Sequence, residues 1–166
     1  MSASKLGTDI HFAVDQLKNG GVLAYPAEAC FGLGCDAQNE AAVMRILQLK
    51  KRSVEKGLIV IASSLKTLML YIDWAALSAD QKNTIQSTWP GASTWLIPVS
   101  ADCPTWLSGK HDTLAVRIPE YAPMRALCEQ FDGVLVSTSA NLQTQPALKT
   151  ALACQQCFGD TLDYIV

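Results

Sequence analysis

The sequence predicts an α/β domain. Short apolar runs suited to buried strands alternate with segments of helical periodicity, and Gly, Pro or Asn punctuates most junctions. Nearly half of the 166 residues (49%) are apolar and 17% are charged, a balance that builds a packed core. The length fits one domain, residues 1–166, and no internal repeat or low-complexity tract divides it.

The elements follow in order. A helix is expected from Asp9 to Lys18, with Ile10, Val14 and Leu17 on one face and Asn19-Gly20-Gly21 closing it. Val22–Tyr25 reads as a strand that stops at Pro26. Ala27–Asp36, containing Gly32 and Gly34, is expected to be a loop. Asn39 caps a second helix that carries Val43, Ile46, Leu47 and Lys50 at helical spacing. Leu58–Ala62 reads as a buried strand, after which Ser63 or Ser64 starts a helix reaching towards Tyr71. Ser78–Thr88 is expected to be an amphipathic helix ended by Trp89-Pro90-Gly91. Thr94–Val99 and Thr113–Ile118 read as strands, Tyr121–Phe131 as a helix and Val134–Ser137 as a strand. Ala147–Cys157 is then a helix and Thr161–Val166 a last apolar strand.

Several function classes are disfavoured. A net charge of -2 and a pI near 5.6 provide no global basic field, so any RNA contact needs a local patch. The amino-terminal Met1-Ser2-Ala3-Ser4-Lys5 lacks the apolar stretch of a secretory signal, and no apolar run has membrane-spanning length. The expectation is a cytosolic protein whose six cysteines remain reduced thiols. Cys154 and Cys157 have a metal-like spacing but no partner pair. There is no phosphate-loop or dinucleotide fingerprint, His11 and His111 stand alone, and nothing resembles a serine or cysteine triad.

Four clusters remain, each with a plain structural reading beside the chemical one. Tyr25-Pro26-Ala27-Glu28 lies at the carboxyl end of a strand, where open α/β sheets bind ligands, or is an ordinary connection. Lys50-Lys51-Arg52, followed by Lys56, can surround a polyphosphate, or can serve the dipole at a helix end. Arg117 interrupts the apolar strand that starts at Thr113, so it either finds an anion or lies on a solvated side. Ser137-Thr138-Ser139-Ala140-Asn141 ends a buried strand with hydroxyls and an amide, serving a ligand or capping a turn.

Together with Phe31-Gly32-Leu33-Gly34, Lys56-Gly57-Leu58-Ile59 and Trp89-Pro90-Gly91, these strings resemble the YrdC/TsaC family of threonylcarbamoyl-AMP synthases, from the first helix to about Gly159. The resemblance implies a single-domain α/β fold, a twisted mixed sheet with flanking helices around a concave pocket. It also implies formation of threonylcarbamoyl-AMP and pyrophosphate from L-threonine, bicarbonate or CO2, and ATP, for tRNA modification with a partner protein complex. Lys50 and Arg52 would face the ATP phosphates, with Mg2+, and Lys56 would stand nearby. Thr113, Ser137, Ser139 and Asn141 would line the nucleotide and the reacting centre. Arg117 would hold the threonine carboxylate, with Ala27 and Ser139 beside the amino acid. On this reading Lys50 and Arg52 form one wall of a nucleotide pocket and Ser137–Asn141 the opposite wall.

The chain departs from the family pattern at Ala27, where threonine is usual, at Ser53, where proline is usual, and over Leu142–Pro146. On the same resemblance, the family's usual C-terminal segment is expected to be missing after Val166. These departures keep a second reading open: a divergent member that binds nucleotide, or weakly binds double-stranded RNA or tRNA, without full activity.

Overall fold

Seven strands form one mixed sheet in the computed structural model, which describes residues 5–166. The expectation drawn from Met1–Ser4 lies outside the described residues. The strands are β1 (Leu23–Pro26), β2 (Phe31–Asp36), β3 (Ile59–Ile61), β4 (Trp95–Pro98), β5 (Thr113–Arg117), β6 (Leu135–Ser139) and β7 (Tyr164–Ile165), in the order β4-β5-β3-β6-β2-β1-β7. The pairs β3–β5 and β1–β7 are parallel and the others antiparallel. The helices are α1 (Ile10–Lys18), α2 (Glu40–Lys50), α3 (Leu65–Leu68), α4 (Ala79–Thr88), α5 (Thr105–Ser108), α6 (Ala122–Phe131) and α7 (Ala151–Phe158). No helix among the described residues is long and apolar enough to cross a membrane.

Strand alternation gives the sheet two unlike faces. On one, Ala24, Leu33, Cys35, Val60, Val116 and Val136 are buried with Val43, Ile46 and Leu47 of α2 and with Cys154 and Phe158 of α7. On the other, Leu23, Tyr25, Ile61 and Leu135 are buried under Val14 and Leu17 of α1 and Met124 and Leu127 of α6. Those two helices cover only part of the second face.

The largest correction to the sequence reading is β2, expected as a loop. Gly32 and Gly34 are strand residues whose missing side chains make room for a ring. A Cβ on Gly34 would stand 2.7 Å from Tyr25 Cε1 and 2.8 Å from the Val136 carbonyl oxygen, and one on Gly32 would stand 2.9 Å from Tyr25 Cζ. The glycines mark close approach rather than a turn. Smaller differences have local causes. The strand β6 continues to Ser139 because it pairs with β2, Gly32 opposite Ser139. The last helix starts at Ala151 because the Thr150 side chain accepts from Ala153 N. Expected as amphipathic, α4 buries only Ile85 and rests instead on a capping box between Ser78 and Gln81. The short α5 had no signal in the sequence.

Candidate active site

The uncovered part of the second face carries the site. Ile59 and Leu96, on β3 and β4, stand 40% and 71% exposed there although both are apolar. Three hollows adjoin through shared residues. One of about 190 Å³ includes Arg52, Lys56, Ile59, Leu96, His111 and Thr113. A second of about 200 Å³ includes Lys50, Arg52, Lys56, Thr138, Ser139 and Asn141. The third, about 140 Å³, includes Ala27, Cys30, Ile59, Arg117, Ser137 and Ser139. All nine residues singled out from the sequence therefore line one continuous concavity. A larger hollow, about 640 Å³ beside Val134 at the other end of β6, contains none of them.

The cations are aimed by the end of α2. Asn39 starts the helix, its side chain accepting from Ala42 N at 3.0 Å. Lys51 ends it in the left-handed region (φ 51°), and Arg52 N donates to Leu47 O at 2.9 Å. That turn sends Lys50 and Arg52 in different directions. Lys50 is buried, and its Nζ donates to Ser139 O (2.6 Å), Asn141 O (3.1 Å) and Asn141 Oδ1 (2.5 Å). Burial, and then the charge of Arg52, lower its pKa. Lys50 thus grips the β6 end directly, which corrects the picture of two opposed walls with an anion between them. Arg52 is different. Its Nη2 donates to Gly57 O at 3.0 Å, while its buried Nε has no hydrogen-bond partner. A buried donor left unpaired costs free energy, and the Arg52 side chain lines the hollows beside Lys56, where an anion would meet its guanidinium.

The polar strand end is itself organised. The Tyr25 hydroxyl donates to Ser137 Oγ at 2.5 Å, and burial raises the Tyr25 pKa well above the ordinary tyrosine range. Ser137 therefore accepts from Tyr25 and keeps its own proton for a ligand. Ser139 Oγ donates to Asn141 Oδ1 at 3.1 Å, so it presents lone pairs instead. Asn141 Nδ2 donates to Gln145 O at 2.9 Å, closing the turn that follows. Neighbouring hydroxyls on one strand thus offer opposite polarity.

Arg117 ends β5 on the same face. Its Nε donates to Gly91 O at 2.9 Å, and its Nη2 pairs with Glu28. Gly91 N in turn donates to Ile118 O at 2.9 Å, so the Trp89-Pro90-Gly91 segment braces the arginine. The sequence reading missed Tyr25 as an orienting hydroxyl, the Glu28 ion pair, and the apolar Ile59 and Leu96. It also set aside His111. Only the alternation of β3 and β4, read together with the neighbouring strands, could have marked Ile59 and Leu96 as uncovered.

Comparison with known proteins shows the family. A family profile for Sua5/YciO/YrdC, described as telomere recombination, matches residues 15–166. A protein of Xanthomonas campestris pv. campestris (strain B100) named threonylcarbamoyl-AMP synthase is 48% identical over 158 residues, covering 95% of this chain and 84% of the relative. One of the same name from Enterobacter sp. (strain 638) is 49% identical over 154 residues, 93% of this chain and 81% of the relative. Among solved structures, P. abyssi Sua5 complexed with L-threonine matches with a TM-score of 0.86 and 28% identity. That match covers 94% of this chain, which spans 45% of the longer Sua5. A profile matched over nearly the whole chain, relatives close to half identical and a shared fold lead to one conclusion: the chain belongs to the Sua5/YciO/YrdC family.

Proposed function

We infer that this chain is a threonylcarbamoyl-AMP synthase, an enzyme of the nucleotidyltransferase type that turns L-threonine, bicarbonate or CO2, and ATP into threonylcarbamoyl-AMP and pyrophosphate. One observation carries the reading. A buried, unpaired Arg52 edge, a hydroxyl-and-amide strand end and a separate arginine, Arg117, share one concavity in a chain nearly half identical to relatives of that name. An anion with several acceptors, a nucleoside and a carboxylated amino acid each have a matching wall.

In this reading the threonine amine adds to the carbon of CO2 and releases a proton to solvent, and the resulting carbamate oxygen attacks the α-phosphorus as pyrophosphate leaves. Both nucleophiles belong to the substrates, so the protein's work is alignment, desolvation and charge neutralisation. Arg52 and Lys56 meet the triphosphate, with Lys50 behind them holding the β6 end in place. Ile59 and Leu96 take the apolar face of the nucleoside, with Thr113 at its edge. Arg117 receives the threonine carboxylate. Ser139, with its lone pairs forward, accepts from the amine, and Ser137 donates to the developing carbamate.

Among the described residues no three His, Cys, Asp or Glu side chains cluster as metal ligands. A hydrated Mg2+ carried in on the phosphates would be held mainly by those phosphates and its own waters, beside the Thr138 and Ser139 hydroxyls, since the Asn141 oxygens are taken by Lys50. Such an ion would supply charge neutralisation at the phosphates. The product would pass in the cytosol to a tRNA-modifying protein complex. The test is pyrophosphate release from ATP with threonine and bicarbonate supplied singly and together. Release only with both is expected, and equal release with ATP alone overturns the reading.

A further inference from the structure

The Arg117–Glu28 ion pair has no part in the chemistry above, and its path over the sheet is informative. Glu28 lies in the turn joining β1 to β2, and Arg117 ends β5. Between β2 and β5 in the sheet lie β6 and β3. The pair therefore joins two parts of the chain that β6 and β3 separate in the sheet. It runs over the open face, where Ala27, Ile59 and Ser137 line the hollow of about 140 Å³. Arg117 is fixed from the other side by Gly91, and its side chain is 15% exposed. The Glu28 side chain is 36% exposed, and Arg117 is its ion-pair partner among the described residues.

We propose that Glu28 is a placeholder for the ligand's carboxylate. It holds the Arg117 guanidinium in the free protein and is exchanged for the carboxylate of the arriving amino acid, so the β1–β2 turn is a strap that a carboxylate releases. The proposal rests on Arg117 as the seat of the substrate carboxylate. Exchanging one anion for another never leaves a largely buried guanidinium unpaired, the state that makes broken buried pairs costly. A ligand without a carboxylate has nothing to offer Arg117 in place of Glu28 and leaves the strap closed. Glu28 thereby ties release of the β1–β2 turn to a ligand that carries a carboxylate.

The experiment is calorimetric titration of the full chain and of Glu28→Gln with L-threonine and with L-threoninol, in which an alcohol replaces the carboxylate. With the internal competitor neutralised, threonine should bind about two- to fivefold tighter, the range expected from breaking a partly exposed ion pair. Threoninol affinity should not change. Backbone hydrogen exchange at Ala27–Cys30 should speed up when threonine is added to the parent, and should already be fast in Glu28→Gln. Threonine binding that is unchanged or weaker in Glu28→Gln, beside measurable binding to the parent, overturns the placeholder and leaves Arg117 as the carboxylate seat. Binding to neither protein overturns both. Circular dichroism of each protein confirms that it is folded.

Discussion

Lys50→Met separates a lysine that faces phosphates from one that holds the wall behind them. Methionine keeps a long unbranched side chain and good helix propensity, so α2 is preserved while the ammonium is removed. Three acceptors then lose their donor: Ser139 O at 2.6 Å, Asn141 O at 3.1 Å and Asn141 Oδ1 at 2.5 Å. A hydrogen bond from a charged donor contributes about 1.5–3 kcal/mol net. Three do not sum to three times that, because burial of the ammonium already opposes its charge, as the lowered pKa records. Asn141 also keeps its bonds to Ser139 Oγ and Gln145 O. The expected net loss is about 2 kcal/mol, or a melting temperature lower by about 4–8 °C for a chain of this size. A loosened strand end should weaken ATP and AMP to a similar degree and reduce pyrophosphate release more than either. Thermal melts, ATP and AMP titrations and the turnover assay measure the three quantities. An unchanged melt with ATP weakened far more than AMP would refute the reasoning, because it would put the ammonium on the outer phosphates.

Arg52→Ala should show the opposite pattern, weakening ATP tenfold or more while AMP changes little, since its guanidinium is assigned to the outer phosphates; equal losses would reassign it. Ala27 lines the same hollow as Arg117, so Ala27→Thr should tighten threonine by about 0.5–1.5 kcal/mol without altering ATP affinity, as read by calorimetry. Gly34→Ala should cost about 1–3 kcal/mol in urea unfolding, because a backbone oxygen as well as the Tyr25 ring stands in the way of the new methyl. Stability should also fall in alkali. Burial pushes Cys154 up to about 11 and Cys128 up to about 12, while unfolded thiols ionise near 8.5. The unfolded chain releases those protons first, so the stability is intact below about pH 8.5 and is lost as pH rises through the folded values, by at most about 1.4 kcal/mol per unit per group. Cys128→Ala should flatten urea-derived stability against pH above 8.5, and an unaltered slope counts against the assignment.

Most of the fold was legible because local signals agreed with the tertiary outcome. Asn39, Ser64 and Ser78 each cap the helix their position announced, and Val43, Ile46 and Leu47 all turn inward from α2. The signal failed where one residue type serves two purposes. Gly32 and Gly34 resemble loop glycines in sequence, and only the Tyr25 ring across the hairpin explains them as strand residues. The site was legible as a set of residues, since strings far apart in the chain converge on one concavity. Its internal contacts were not legible. Nothing in the sequence distance between Lys50 and Ser139 tells that an ammonium reaches a backbone carbonyl, or that Arg117 meets Glu28 across two intervening strands.

Those contacts give Lys50, Arg52 and Arg117 unequal work, and the inequality follows from their chemistry. Lysine is a compact charge with three rotatable donors, and at Lys50 three oxygens converge from one strand end and the turn after it. Arginine is planar and forked, so one edge can be fixed by the protein while another stays available. Arg52 is held through Nη2 with Nε left unpaired, and Arg117 is held through Nε with Nη2 on an exchangeable carboxylate. Exchanging the residue types would remove both capacities, since a lysine at 117 cannot bind Gly91 and a carboxylate with one planar group. The left-handed turn at Lys51 is what lets a buried strut and a ligand-facing fork stand two residues apart on the same chain. The site therefore depends on the backbone at the end of α2 as much as on its charges.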